Sequence, residues 1–186
     1  MEPGLGARVS LSSPPMLRGA TKGRQPNATT LVHQDAVLVA VERRNALALA
    51  WYDAPQPGHL LTVLRLMQEA EQHSGARTCL LQAVVSGTPR FSEQVREEGG
   101  KMVRGSAKCT AASAHIIELG GLAGVATRAF ISTLLLIGRS RSPAKVFKDV
   151  HEAAPWYVEQ LAANGTRWTV ADVEELYRVL KSHAPG

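Results

Sequence analysis

The sequence is poor in the residues that mark several classes of protein. It has only two cysteines, Cys79 and Cys109, and neither belongs to a CxxC pair or to a cysteine–histidine cluster with metal spacing. We therefore expect two reduced, buried thiols and no metal site. The longest apolar stretch, 122–137, is shorter than a membrane span and contains Arg128, so we interpret it as a core helix. Residues 1–24 lack the apolar run of a signal peptide, which favours a cytoplasmic protein.

Motifs of the common catalytic sites are missing as well. No Gly-x-Ser-x-Gly occurs, and the 6 histidines lack the paired helical spacing of zinc and iron sites. Gly100 and Lys101 resemble the end of a P-loop, but Val95 stands where the first glycine belongs and Met102 where the hydroxyl belongs. We therefore predict a protein that is not an enzyme, with no catalytic residue, cofactor or metal. An active site assembled in space would leave no local motif, and that alternative stays open.

Aromatic residues are also scarce, at 5% of the chain, although the net charge is +5. Nucleic-acid binding by a basic protein is usually accompanied by stacking aromatics, so we rank nucleic acid last among the partners. The bases concentrate between residues 119 and 148, where no acid occurs; they are Arg128, Arg139, Arg141, Lys145 and Lys148. This distribution predicts a cationic surface near the end of the helix at 122–137.

Apolar periodicity predicts five strands and an α/β fold. Residues 37–41 and 46–51 flank a polar turn at 43–45 and are typical of a β-hairpin. Further strands are predicted at 78–85 and 111–118, and a short edge strand at 143–147. We expect a mixed, largely parallel sheet opened by the hairpin, with helices packed on it and an additional C-terminal helix.

Five helices are predicted between and after these strands. They are 58–74, a helix that starts at Pro89 with Thr88 as its cap and breaks at Gly99-Gly100, 122–137, 149–161 with a kink or late start at Pro155, and a last helix capped by Thr169 and Asp172. Together with the strands, these helices predict three parts: a flexible basic tail at 1–33, an α/β domain at 35–164 and a C-terminal helix at 165–186.

The order of elements between residues 35 and 164 resembles the STAS domain, the fold of anti-sigma-factor antagonists and sulphate-transporter tails. It is most similar to the bacterial branch that shares features with lipid-transfer domains. The resemblance is carried by the hairpin that ends in Trp51, the helix start at 89–96, and the stretch 147–157 with Trp156. It implies a regulatory or scaffolding domain that binds a protein partner.

In STAS antagonists the loop after the third strand carries a phosphorylated serine, usually preceded by aspartate. The similar loop here is Ser86-Gly87-Thr88-Pro89, with Val85 in place of the aspartate, so Thr88 is interpreted as a helix cap with a phosphosite as the alternative. The residues expected to bind the partner are Ser86, Thr88, Arg90, Arg139 and Arg141. As an alternative function, we expect a carrier or sensor of a lipid or other apolar molecule, held under the helix at 122–137 with Arg139 and Arg141 near an anionic head group.

Overall fold

The structure is a computed structural model that describes residues 28–88, 92–138 and 142–185. These residues form six strands and five helices and confirm the predicted α/β class. In chain order the elements are β1 (Thr30–Gln34), β2 (Leu38–Arg43), β3 (Ala46–Trp51), α1 (Pro57–Ser74), β4 (Thr78–Val84), α2 (Glu93–Ser106), β5 (Thr110–Ile117), α3 (Gly121–Gly138), β6 (Ala144–Phe147), α4 (Val150–Ala163) and α5 (Val170–Ser182).

All six strands form one sheet in sequential order, from β1 to β6. β1, β2 and β3 pair antiparallel, and β3 to β6 are parallel. Since α1, α2 and α3 each connect neighbouring parallel strands in the same direction along the sheet, right-handed crossovers place all three on one face. α4 and α5 cover the opposite face and pack against the alternate side chains of the same strands.

The first strand corrects the boundary of the predicted N-terminal tail. Thr30–Gln34 pairs with β2, although the tail was predicted to extend to residue 33. An irregularity between Leu31 and His33 interrupts the alternation, and the strand lies half-exposed at the sheet edge, so its sequence shows no period of two. Residues 1–27 of the tail lie outside the described residues.

Helix α2 differs from its prediction at two places. Its cap is Ser92, whose Oγ accepts a hydrogen bond of 3.2 Å from the Val95 amide, so Thr88 is not the cap. The predicted break at Gly99-Gly100 is wrong because the helix runs through both glycines. A Cβ atom at Gly99 would lie 2.9 Å from Cδ1 of Leu134, so this glycine permits the close approach of α3.

The C-terminal part agrees closely with the sequence. Asp149 caps α4 by accepting a 2.9 Å hydrogen bond from the Glu152 amide, and α4 continues through Pro155 without a late start. Tyr157 of α4 is fully buried, whereas its neighbour Trp156 is only half-buried. The cap of α5 by Thr169 and Asp172 is confirmed. No helix within the described ranges has the length and apolar character needed to cross a membrane.

Candidate functional site

Two adjoining cavities lie between α3 and the sheet. Their volumes are about 80 and 60 Å³. Both are lined by Gln82 of β4, Met102 of α2, and Ile131 and Leu134 of α3. Apolar cavities on the order of 100 Å³ hold small organic molecules such as benzene. The space under α3 is therefore a candidate site for an apolar ligand.

The first cavity opens at the carboxyl ends of the parallel strands. Its mouth is formed by the loop at 53–55 after β3, the loop at 86–88 after β4, and Leu119 after β5. In open α/β sheets, ligands bind at this end of the strands, in the crevice where the strand order reverses. The strands here run in sequential order, so the first cavity shares the end of the sheet with such sites but not the reversal.

The loop at 86–88 is held tightly against the loop after β3. Gly87 has φ +94°, and a Cβ atom on it would lie only 2.6 Å from the Cα of Asp53. The Ser86 hydroxyl donates a 2.8 Å hydrogen bond to the Tyr52 carbonyl. Both contacts fix the mouth of the first cavity, and Thr88 contributes to its lining.

Most hydroxyl groups around the second cavity already have partners. Those of Ser106, Thr110 and Ser142 donate to the backbone carbonyls of Val103, Ser106 and Thr110, at 3.2, 2.8 and 2.7 Å. These hydroxyls therefore stabilise the chain itself. Gln82 and His115, two other polar side chains of the wall, differ from them because each has a polar group without a hydrogen-bond partner in the described residues.

Gln82 and His115 occupy paired positions on the neighbouring strands β4 and β5. The amide of Gln82 has no hydrogen-bond partner within the described part of the chain. Nε2 of His115 lies 3.0 Å from Oγ of Ser113, whereas its Nδ1 is buried without a partner there. Burial lowers the pKa of His115 to about 4, so its ring is neutral near neutral pH.

Helix α3 covers both cavities and is attached chiefly by apolar contacts. The hydroxyls of Thr127 and Thr133 donate to carbonyls within the helix, both at 2.8 Å. In the described residues, no side-chain hydrogen bond or ion pair joins α3 to another element. Its outer face also carries large apolar side chains in contact with solvent, namely Leu122, Val125, Leu136 and Ile137, with exposed fractions of 89, 60, 79 and 52%.

The structure describes two of the five residues predicted to bind a partner. Ser86 and Thr88 both line the first cavity. Arg90, Arg139 and Arg141 lie outside the described residues. The sequence reasoning missed Gln82 and His115 as site residues. The sequence did contain a signal for them: each is a polar residue in a strand that is otherwise mostly apolar, as is typical of strands covered on both faces.

The two cysteines are not among the residues that line the cavities, and they confirm the prediction of buried thiols. Cys79 is on the face covered by α4, and burial raises the pKa of its thiol to about 11. Burial likewise raises the pKa of Cys109, with the negative charge of Glu71 adding to the effect. Thiols with raised pKa values are poor nucleophiles at neutral pH.

The fold and the cavity thus define an α/β protein with an apolar site beneath one helix. No protein-family model matches the chain, and no curated protein is significantly similar to it. The chemistry of the cavity and of its mouth therefore carries the argument about function.

Proposed function

We propose that the chain is a STAS-like, non-catalytic protein that senses or carries an apolar small molecule beneath α3. The observation that carries this proposal is the pair of adjoining cavities between α3 and the sheet. Apart from Gln82, the residues that line both cavities are apolar, namely Met102, Ile131 and Leu134, so transfer of an apolar molecule from water into them is favourable. This function is the alternative that the sequence left beside protein binding.

Entry of a ligand is compatible with the attachment of α3. An occupant larger than the cavities requires α3 to move outward. Since the hydroxyls of Thr127 and Thr133 bond within the helix, such movement breaks mainly apolar contacts, which a bound apolar ligand replaces. Gly99 of α2 is buried against Leu134 and leaves room for close packing of α3 when the site is empty.

The regulatory function that the STAS resemblance implies is supported at the same place. In that family the loop after the third strand contacts the partner, and the similar loop here, 86–88, lines the first cavity. A ligand in the cavity would contact the inner side of this loop, while a protein partner would meet its outer side. Ligand occupancy and partner binding are therefore coupled in the proposed sensor.

A protein partner is also favoured by the outer face of α3. Large apolar side chains exposed next to one another are typical of interaction surfaces. Leu136 is 79% exposed and Ile137 52%, and both follow Leu134, which contacts the cavity. The same helix thus covers the ligand on one side and offers an apolar surface on the other.

The proposal is tested by native mass spectrometry of the protein purified from its own host. Leu134→Trp fills the cavity from within, because Leu134 lines both of its parts. Leu136→Trp is the matched control, since it makes the same change two residues away on the exposed face. We expect a bound small molecule on the wild type and on Leu136→Trp, and none on Leu134→Trp.

Two outcomes would contradict the proposal. One is a wild-type protein that carries no small molecule when purified under native conditions. The other is equal occupancy in Leu134→Trp and Leu136→Trp, which would place the bound molecule outside the cavity. Circular dichroism of both variants establishes that each is folded before occupancy is compared.

A further inference from the structure

We propose that the molecule bound beneath α3 carries one uncharged hydroxyl group, which hydrogen-bonds to His115 and Gln82 while an apolar body fills the rest of the two cavities. This inference rests on the proposed ligand-binding function and adds the chemistry of the ligand. It starts from two polar groups of the cavity wall, Nδ1 of His115 and the amide of Gln82, which lack hydrogen-bond partners among the described residues.

The buried Nδ1 of His115 is the first reason. His115 is 5% exposed, and its Nδ1 has no hydrogen-bond partner in the part of the chain described. A buried polar atom without a partner costs free energy, and an occupant that bonds to it recovers that cost. Since the ring lines the second cavity, a ligand there lies next to it, and a small rotation of the ring would bring Nδ1 to the ligand.

Gln82 adds a second bonding group at the adjacent position of the sheet. Its Cα pairs with that of His115 across β4 and β5, so both side chains project from the same face. Gln82 lines both cavities and His115 the second. The two side chains therefore form one polar spot in an otherwise apolar wall.

A hydroxyl group suits this spot better than a charged group. The neutral imidazole has one donor and one acceptor nitrogen, and the amide of Gln82 offers both functions, so a hydroxyl can bond whichever tautomer is present. Burial keeps the pKa of His115 at about 4, so the ring supplies no positive charge for a carboxylate or phosphate at neutral pH. A charged group buried here without a counter-charge would be strongly disfavoured.

Three other hydroxyls of the wall are already bonded within the chain. The hydroxyls of Thr110 and Ser142 are bonded to backbone carbonyls, and that of Thr127 donates to the Ala123 carbonyl at 2.8 Å. The wall opposite the polar spot is made of Ile131 and Leu134. A single hydroxyl on an apolar body thus matches the polar spot and the apolar side chains that face it.

Phenol and toluene test the inference, because they have nearly the same shape and differ by one hydroxyl. Their dissociation constants are measured by titration of methyl-labelled protein in NMR, for the wild type, His115→Leu and Gln82→Leu. We expect both variants to shift the ratio of the two constants by about tenfold in favour of toluene, the effect of one lost hydrogen bond. The ratio in the control Thr133→Val, which removes a hydroxyl bonded within α3 on its exposed face, should equal that of the wild type.

The wild type alone provides a second measurement that needs no folded variant. Phenol should change the ¹⁵N chemical shift of Nδ1 of His115, and toluene should not. Toluene binding with an unchanged ratio in both variants, or phenol binding without a shift at Nδ1, overturns this inference and leaves the proposed function standing. Failure of both probes to bind the wild type overturns the proposed function and this inference with it.

Discussion

Gly87 and Asp53 lie so close that no side chain fits between the loops they belong to. A Cβ atom on Gly87 would be 2.6 Å from the Cα of Asp53 and 2.9 Å from its Oδ1, and Gly87 has φ +94°. The close approach brings the loop after β4 against the loop after β3 and closes one side of the first cavity. The mouth of the proposed site therefore depends on a glycine at this position.

Replacement of Gly87 by alanine should destabilise the protein. The overlap is with backbone, which cannot move aside as a side chain can, and the positive φ adds strain of about 1 to 3 kcal/mol. We expect the free energy of unfolding, measured with urea, to fall by at least that amount. Gly58→Ala is the control, because the space around Gly58 is open. A Gly87→Ala variant as stable as Gly58→Ala would contradict the loop geometry.

Alanine substitutions at Ser92 and Thr88 distinguish the observed cap of α2 from the predicted one. Ser92 accepts the hydrogen bond from the Val95 amide, so Ser92→Ala should lower the free energy of unfolding by about 0.5 to 2 kcal/mol. Thr88→Ala removes no cap and should have little effect. Thermal melts of the two variants measure the difference. The reverse ranking would restore Thr88 as the start of the helix.

The Ser86→Asp substitution tests the loop as a charge-sensitive switch. The Ser86 hydroxyl donates to the Tyr52 carbonyl at 2.8 Å, and an aspartate cannot donate there. We expect Ser86→Asp to displace the loop and weaken capture of the cavity's ligand, with a stability loss of about 0.5 to 1.5 kcal/mol from the lost hydrogen bond, which is exposed to solvent. Ser86→Ala separates the lost hydrogen bond from the added charge. Equal ligand occupancy in all three proteins, by native mass spectrometry, would show that the loop does not respond to charge.

Periodicity was enough to predict most of the fold because each strand and helix carries its own pattern of burial. The hairpin of β2 and β3, the parallel strands and the caps at Asp149 and Thr169 follow from residues close in sequence. The start of α2 could not be predicted as well, since Thr88 and Ser92 are both good caps and only the packed helix selects one. Gly99 was interpreted as a helix breaker because two glycines are adjacent there. Its contact with Leu134, which lies on another helix, cannot be recognised from nearby sequence.

The candidate site was less predictable than the fold for a related reason. Gln82 and His115 belong to different strands, and the sequence does not show that their positions are paired or that α3 leaves a cavity above them. Burial of a histidine is visible in the pattern of its strand, but the absence of a partner for one nitrogen depends on the neighbouring strands and helices. The loop at 86–88 was found from the family resemblance alone.

The last prediction concerns the dependence of stability on pH. Burial lowers the pKa of His115 to about 4 in the folded protein, compared with 6.5 for an ordinary histidine. Between these two values the unfolded chain binds a proton that the folded protein excludes, so stability is complete above pH 6.5 and declines as the pH falls towards 4. The shift corresponds to a loss of about 3 kcal/mol over that range.

Asp35 affects stability in a separate pH range. Burial alone would raise its pKa, but hydrogen bonds from the amides of Leu38 and Val37 lower it to about 2, so its contribution to stability is lost only below pH 4.

Urea unfolding of the wild type and of His115→Gln at pH 7, 5.5 and 4.5 isolates the effect of the histidine, because all other groups are common to both proteins. We expect the wild type to lose stability relative to the variant as the pH falls, and parallel curves would show that the pKa of His115 is the same in the folded and unfolded states.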